Sequence, residues 1–482
     1  MAAATHYRLF IDGEYVDTPD RYEIRNPYNN DVVGTVARAG EREADAAITA
    51  AARAFDETKR LTRARRAEIL LAMSRGVAER QADFACNITL CTGKPLSYAR
   101  AEVSRTVGVL ALAAEEAKRF GGGYEPLDLD PLHPRAVGIV ERFPLGPIAA
   151  IAPFNFPLNL VTHKVAPALA SGNTVVAKPP PQCPGPALML AEIARDAGLP
   201  RGAFSVISAD PPVAERLATD ERIKMLSFTG SARVGWSLKA KAGRQRVALE
   251  LGGNGGLVVD EDADLEFAAA RAARGAFIHA GQVCISVQRI FVHRKVYGRF
   301  TQLLVDATED LHVGDPMDEN TLVGPMITRE AGDRVMEWIG EAKNAGAGIL
   351  IGNRRDGSVV WPTIIELGNP ALHRLRVWCE EVFGPVATIE AIDSFAQGIA
   401  ATNDSPYGLQ AGVFTRNLDH AFAAFREIDA GAVIVGDTGV FRVDTYPFGG
   451  MKGSGLGREG VRWAMEAMTD PKILVMNLRE PA

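Results

Sequence analysis

Three side chains in this sequence stand where nucleophilic chemistry could be done. Cys284 lies in Gly281-Gln282-Val283-Cys284-Ile285-Ser286, a short glycine-containing stretch after a helical pattern. A lone cysteine is either core packing or a nucleophile, and this loop-like setting leaves room for an activated thiolate. Cys86, Cys91, Cys183 and Cys379 read as packing. Glu250, in Leu249-Glu250-Leu251-Gly252-Gly253-Asn254, puts a carboxylate at a strand end beside backbone that can be approached closely. It is either a solvated loop charge or a general base. Asn155, in Pro153-Phe154-Asn155-Phe156-Pro157, is an amide held between two prolines. It reads as a turn asparagine or as a rigid donor to an oxyanion. A fourth segment, Phe228-Thr229-Gly230-Ser231-Ala232-Arg233-Val234-Gly235, joins a strand to a helix whose free amides suit a phosphate. It lacks the Gly-x-Gly-x-x-Gly fingerprint, so a plain tight turn reads equally well.

The elements that must position these groups follow from periodicity and punctuation. Residues 9–11 and 15–16 flank an Asp12-Gly13 turn and read as a hairpin. Helices are expected over 43–55, from Thr62 as cap to about 84, and over 98–120, with Gly121-Gly122-Gly123 ending the last. Residues 135–143 alternate like a strand of a separate arm. From 147 onward short β-rich runs (148–152, 174–177, 205–207, 224–228, 247–251) alternate with amphipathic helices (163–170, 186–197, 213–217, 232–242). Such alternation predicts a parallel sheet with helices on both faces and a ligand at the strands' carboxyl ends. A second α/β series runs from about 256 to 465. The apolar run 472–478 is a lone strand that needs a sheet to join, and another subunit could supply it.

Composition narrows the class. The chain has 482 residues, 47% of them apolar and 23% charged, which suits a folded protein of two or three domains. The longest apolar runs fall far short of the roughly 20 residues of a membrane helix, and no secretory leader is expected. The net charge of −6 and scattered basic residues favour no nucleic-acid partner. Five cysteines without a Cys-x-x-Cys pair suggest neither disulfides nor a metal site, hence a reducing compartment, most simply the cytoplasm.

Taken together, the motifs resemble the aldehyde dehydrogenase superfamily over essentially the whole chain. Its markers are Pro153-Phe154-Asn155-Phe156-Pro157, Ala177-Lys178-Pro179, Phe228-Thr229-Gly230-Ser231, Glu250-Leu251-Gly252-Gly253, Gly281-Gln282-x-Cys284, Glu380-Glu381-Val382-Phe383-Gly384-Pro385 and Pro447-Phe448-Gly449-Gly450-x-Lys452-x-Ser454-Gly455. Gln282-Val283-Cys284-Ile285-Ser286 and Phe441-Arg442-Val443-Asp444 resemble the branch with lactaldehyde and non-phosphorylating glyceraldehyde-phosphate dehydrogenases. The resemblance implies an α/β fold: a Rossmann-like NAD(P)-binding domain (1–123 and 145–252), an α/β catalytic domain (253–465) and a small β oligomerisation arm (124–144 and 466–482). It implies that Cys284 attacks an aldehyde, that Asn155 and the Cys284 amide hold the oxyanion, and that Glu250 activates water to release a free acid. NAD or NADP would be held by Ile151, Phe154, Lys178, Pro181, Gly230, Ser231, Gly235, Leu251, Glu381 and Phe383. A homodimer or homotetramer is implied. The other readings are a coenzyme A-acylating enzyme, against which Glu250 counts, and a non-catalytic binding or structural protein on this scaffold.

Two departures carry information. The family often has Lys-Pro-Ser-Glu where this chain has Lys178-Pro179-Pro180-Pro181. Losing that ribose-binding carboxylate removes a barrier to a 2′-phosphate, so NADP is expected to serve at least as well as NAD. Val283 stands where branch members handling phosphorylated aldehydes carry arginine, which argues against such a substrate. The resemblance places Phe156, Leu160, Val283, Ile285 and Phe448 as apolar walls of the substrate tunnel. Asn159, His163, Arg442 and Arg105 are its polar residues. Each arginine is a surface ion pair or an anchor for a hydroxyl or carboxylate.

Overall fold

The structure, a computed structural model, describes residues 5–129 and 131–478. Among the described residues the chain folds around two large sheets, with four small ones of two or three strands each. In the first, five parallel strands lie in the order Arg246–Glu250, Met225–Thr229, Pro147–Ile151, Thr174–Lys178 and Phe204–Val206. These runs are short, small or β-branched, and largely buried, as strands covered on both faces require. The hairpin Leu9–Ile11 and Glu14–Val16 extends one edge antiparallel. The second sheet has seven strands, Gly255–Val259, Val287–His293, Val386–Ile392 and Gln410–Phe414 at its centre.

Most expected elements form with ends shifted by a few residues, and three differ in substance. The helix expected from 62 to 84 is two, Arg63–Glu79 and Gln81–Thr92, because Arg80 leaves the helical region with φ −107° and ψ 21°. The helix expected at 163 begins at Asn159, four residues earlier. Its first turn is capped by a remote carboxylate: Glu102 Oε1 accepts from the amides of Leu158 and Asn159, both at 3.0 Å. Glu102 is itself paired with Lys94 at 2.5 Å, both side chains having no exposure at all. The early start puts Phe156, Asn159, Leu160 and His163 at helical spacing along one wall.

The third difference concerns the C-terminal run. Thr469–Asn477 is not a lone strand: it pairs antiparallel with Ala136–Pro144 along its whole length, and Gly123–Pro126 completes a three-stranded sheet. It also lies at that sheet's edge, with Leu474 58% and Val475 52% exposed. Residues 455–465, expected to belong to the second unit, return to the first. Gly455–Leu456 pairs antiparallel with Arg246–Glu250, and Val461–Ala467 packs on the helices Asn159–Ser171 and Leu96–Arg119. No helix among the described residues is long and apolar enough to cross a membrane.

Candidate active site

Cys284 follows a turn, Ile278–Gly281, in which His279, Ala280 and Gly281 adopt successive left-handed conformations (φ 51°, 53° and 68°). A left-handed backbone is costly for non-glycine residues and survives only where surroundings enforce it. Here the constraints are specific. A Cβ on Gly281 would meet the Gly384 carbonyl oxygen at 2.1 Å, so the two backbones touch. The Gln282 side chain donates to the His279 and Pro325 carbonyls and accepts from the Ile327 amide at 2.9 Å. On the other side, a Cβ on Gly253 would meet the Cys284 carbonyl at 2.4 Å. Glycine there lets the segment after Glu250 lie against the cysteine loop.

Glu250 is the last residue of its strand, 4% exposed, and both carboxylate oxygens are buried without a hydrogen-bond partner in the protein. Burial raises its pKa well above the carboxylate range, and the neighbouring Glu459 adds to the rise. Asn155 is 2% exposed and its Oδ1 has no protein partner. The Cys284 thiol is pushed up by burial, then by Glu381, Glu250 and Glu459. These groups converge on a cavity of about 540 Å³. It is lined by Cys284, Glu250 and Asn155, by the expected cofactor residues Phe154, Gly230, Ser231, Leu251, Glu381 and Phe383, and by all nine expected substrate residues.

At one end, Glu381 Oε1 accepts from the Gly253 amide at 3.1 Å. Burial pushes the Glu381 carboxyl up to about 7, opposed by that bond and by Arg334. Phe383, at φ 45°, meets Phe154 edge-on with ring centroids 5.9 Å apart. Ser231 caps the helix Ala232–Lys241 without a side-chain bond to its amides, which leaves donors for a phosphate. This end could hold a phosphate-linked nucleotide.

At the other end Phe156, Leu160, Val283, Ile285 and Phe448 form apolar walls. Arg442 stacks over the Phe448 ring at 4.3 Å and the Tyr446 ring at 4.9 Å. Asp444 faces Arg105 at 2.7 Å, His163 Nε2 at 3.2 Å and Arg442 at 3.9 Å. Burial lowers the His163 pKa. Burial raises Asp444, but the bonds to His163 and Arg105 overcome it and hold the carboxyl below its usual range.

Four expected cofactor residues lie outside this cavity. Ile151 is 7% exposed within the apolar cluster that holds Phe228 and Leu251. A Cβ on Gly235 would meet Leu251 at 2.4 Å, so Gly235 serves helix-to-strand packing. Lys178 ends the strand two places along the sheet from Met225–Thr229. Pro181 lines a separate cavity of about 370 Å³, and its carbonyl accepts from Tyr22 at 3.0 Å.

Sequence reasoning missed Glu459, Lys164, Asp444 and Glu102. Lys164 is 1% exposed, bonded to Glu459 and to Thr229 Oγ1, each at 2.7 Å, and Glu459 reaches the cavity beside Glu250. One signal was present: a lysine inside the apolar helical run 161–170 demands a buried partner. Among the described residues no group of three or more His, Cys, Asp and Glu side chains could hold a metal ion.

A cysteine, a buried carboxylate and a buried amide around one cavity suit covalent chemistry on a carbonyl. Residues 15–474 match the aldehyde dehydrogenase family, and the chain belongs to it. It is 42% identical over 479 residues to a 3-sulfolactaldehyde dehydrogenase of Priestia aryabhattai, covering 99% of each chain. The crystal structure of aldehyde dehydrogenase 21 from Physcomitrella patens, in complex with the reaction product succinate, superposes with a TM-score of 0.96. That protein is 38% identical, and the match covers 98% of this chain and 99% of the other. The glyceraldehyde-3-phosphate dehydrogenase GapN of Methanocaldococcus jannaschii, complexed with NADP, gives 0.91 at 34% identity, over 96% of this chain and all of that one.

Proposed function

We propose that this aldehyde dehydrogenase oxidises a short, non-phosphorylated aldehyde with an anionic tail to the free acid, using NAD or NADP. The observation that carries the tail is the charge count at the cavity's far end. Two guanidinium groups, Arg105 and Arg442, face one carboxylate, Asp444, while burial keeps His163 neutral. One positive charge is left over, beside apolar walls that suit a short carbon chain. The succinate of the Physcomitrella complex and the sulfonated aldehyde of the Priestia enzyme's name have such a tail.

The shared cavity and the family resemblance support the following roles. Cys284, its thiol proton given up to solvent, adds as thiolate to the aldehyde carbon, and the oxyanion formed from the carbonyl is held by Asn155 and the Cys284 amide, each donor contributing ~3–4 kcal/mol in the transition state. NAD or NADP, when bound, would supply the hydride acceptor. Loss of hydride leaves a thioester on Cys284. Glu250, made more basic by burial and Glu459, then takes a proton from water, whose oxygen attacks the thioester carbon; the C–S bond breaks, freeing the acid and returning the Cys284 thiolate. Phe154, Phe383 and Glu381 would hold the nicotinamide end, Ser231 the pyrophosphate and Lys178 the adenosine ribose. The edge strand Thr469–Asn477 supports a homodimer or homotetramer, and five free cysteines support the cytoplasm.

The test is kcat/KM for aldehydes of equal length ending in carboxylate, sulfonate or a neutral group, with and without coenzyme A. Anionic tails should be preferred about ten- to a hundredfold, the value of one charged hydrogen bond. Arg442→Met should erase the preference, and coenzyme A should change nothing. Equal rates for neutral tails would refute the anchor; a requirement for coenzyme A would refute release of the free acid.

A further inference from the structure

The strand order sets where a dinucleotide's two ends lie. Glu250 ends one outer parallel strand, Gly230 and Ser231 follow the next, and the sheet continues through Pro147–Ile151 to Thr174–Lys178 and Phe204–Val206. With the reacting end at Glu250 and the pyrophosphate at Ser231, the adenosine must lie over the last two strands. The rim there is Lys178, Pro181 and Asp210.

Asp210 stands at the N-terminus of the helix Pro211–Thr219, yet its side chain makes no capping bond. Pro211 and Pro212 open that helix and remove the first two of its amides, and Asp210 makes no bond to the third. The carboxylate turns instead to Arg38, with which it forms an ion pair. Arg38 is fixed in turn: its neighbour Ala39 donates to the Ser208 carbonyl at 2.7 Å, and its guanidinium lies 5.1 Å over the Tyr22 ring. That tyrosine's hydroxyl is the group bonded to the Pro181 carbonyl at 3.0 Å. Pro181, Tyr22, Arg38 and Asp210 are thus one contiguous chain of contacts along the rim. Burial lowers the Lys178 amine, and the charge of Asp210 acts in the opposite direction.

We infer that Asp210 supplies the carboxylate missing at position 181, and that the Arg38–Asp210 pair sets the choice between NAD and NADP. Asp210 accepts from the adenosine ribose hydroxyl of NAD and repels a 2′-phosphate. Arg38 orients Asp210 and neutralises it, so that the phosphate of NADP is tolerated. The sequence alone suggests that NAD loses its ribose partner; the structure gives that partner back from another strand end, so the two coenzymes bind comparably.

This rests on the coenzyme lying as proposed above, but not on the aldehyde. The test is therefore calorimetric titration of the full-length protein with NAD and with NADP, no aldehyde present. Asp210→Asn should weaken NAD about tenfold and tighten NADP at least threefold, since it removes one charged hydrogen bond and one repulsion. Arg38→Ala should shift the balance the opposite way, weakening NADP about tenfold with NAD held within about threefold. Should one variant not fold, the other still decides. A ratio of the two dissociation constants that stays within about twofold of wild type in either variant, or that moves the same way in both, overturns the inference.

Discussion

At the scale of residues, the site is a set of buried acids around a sulfur. Glu250, Glu381 and Glu459 all bear on Cys284 and push its thiol up, so the resting nucleophile is protonated and not the pre-formed thiolate its loop-like setting suggests. Glu381 makes this testable. Burial carries its carboxyl up to about 7, so near neutrality it passes from acid to carboxylate. The carboxylate accepts a ribose hydroxyl more strongly than the neutral acid does, and it alone attracts a positive ring. Coenzyme affinity should therefore climb as pH rises through about 7 and level off above it. Titrations across neutral pH should show that climb in wild type and lose it in Glu381→Gln; the same climb in the variant would assign it to another group. Cys284, Glu250 and Asn155 each sit in a short motif that reads two ways by itself; the motifs taken together singled them out, and the fold brings all three to one cavity. Asp444 and Glu459 were not, because their meaning depends on Arg105, His163 and Lys164, brought to them only by the fold.

At the scale of elements, the parallel strands were legible from apolar runs punctuated by helices, and the errors fall where distant residues intervene. The helix Asn159–Ser171 starts early because Glu102, more than fifty positions away, satisfies its first amides. The C-terminal strand was visible as an apolar run but not its partner in the same chain, since antiparallel pairing across more than three hundred residues leaves no local trace. That pairing covers one edge only. An exposed edge bearing Ile473, Leu474 and Val475 is a liability unless a second chain covers it. Deleting residues 470–482 should accordingly give monomers or aggregates, measured as mass by light scattering. A truncated protein keeping the native mass would show that the subunits meet elsewhere.

At the scale of the whole molecule, the cavity forms where the two large sheets meet. Glu250 comes from the first, the Cys284 loop leads into the second, and the close approach of Gly253 to Cys284 joins them. Residues 455–467 cross back to the first sheet and bring Glu459 to the cavity that Glu250 lines. A linear division of the sequence at 252 and 465 misses that return, because a two-residue strand has too little periodicity to declare its sheet.

The central claim is that oxidation runs through an acyl group on Cys284 which Glu250 then releases through water. Rapid mixing of Glu250→Gln enzyme with an aldehyde and coenzyme tests it most directly, reading reduced nicotinamide against time and the mass of the Cys284 peptide after quenching. The account predicts about one reduced nicotinamide per subunit in a fast phase, turnover slowed at least about a hundredfold thereafter, and the acyl mass on Cys284. Absence of the fast phase, or acylation of a different residue, would contradict it.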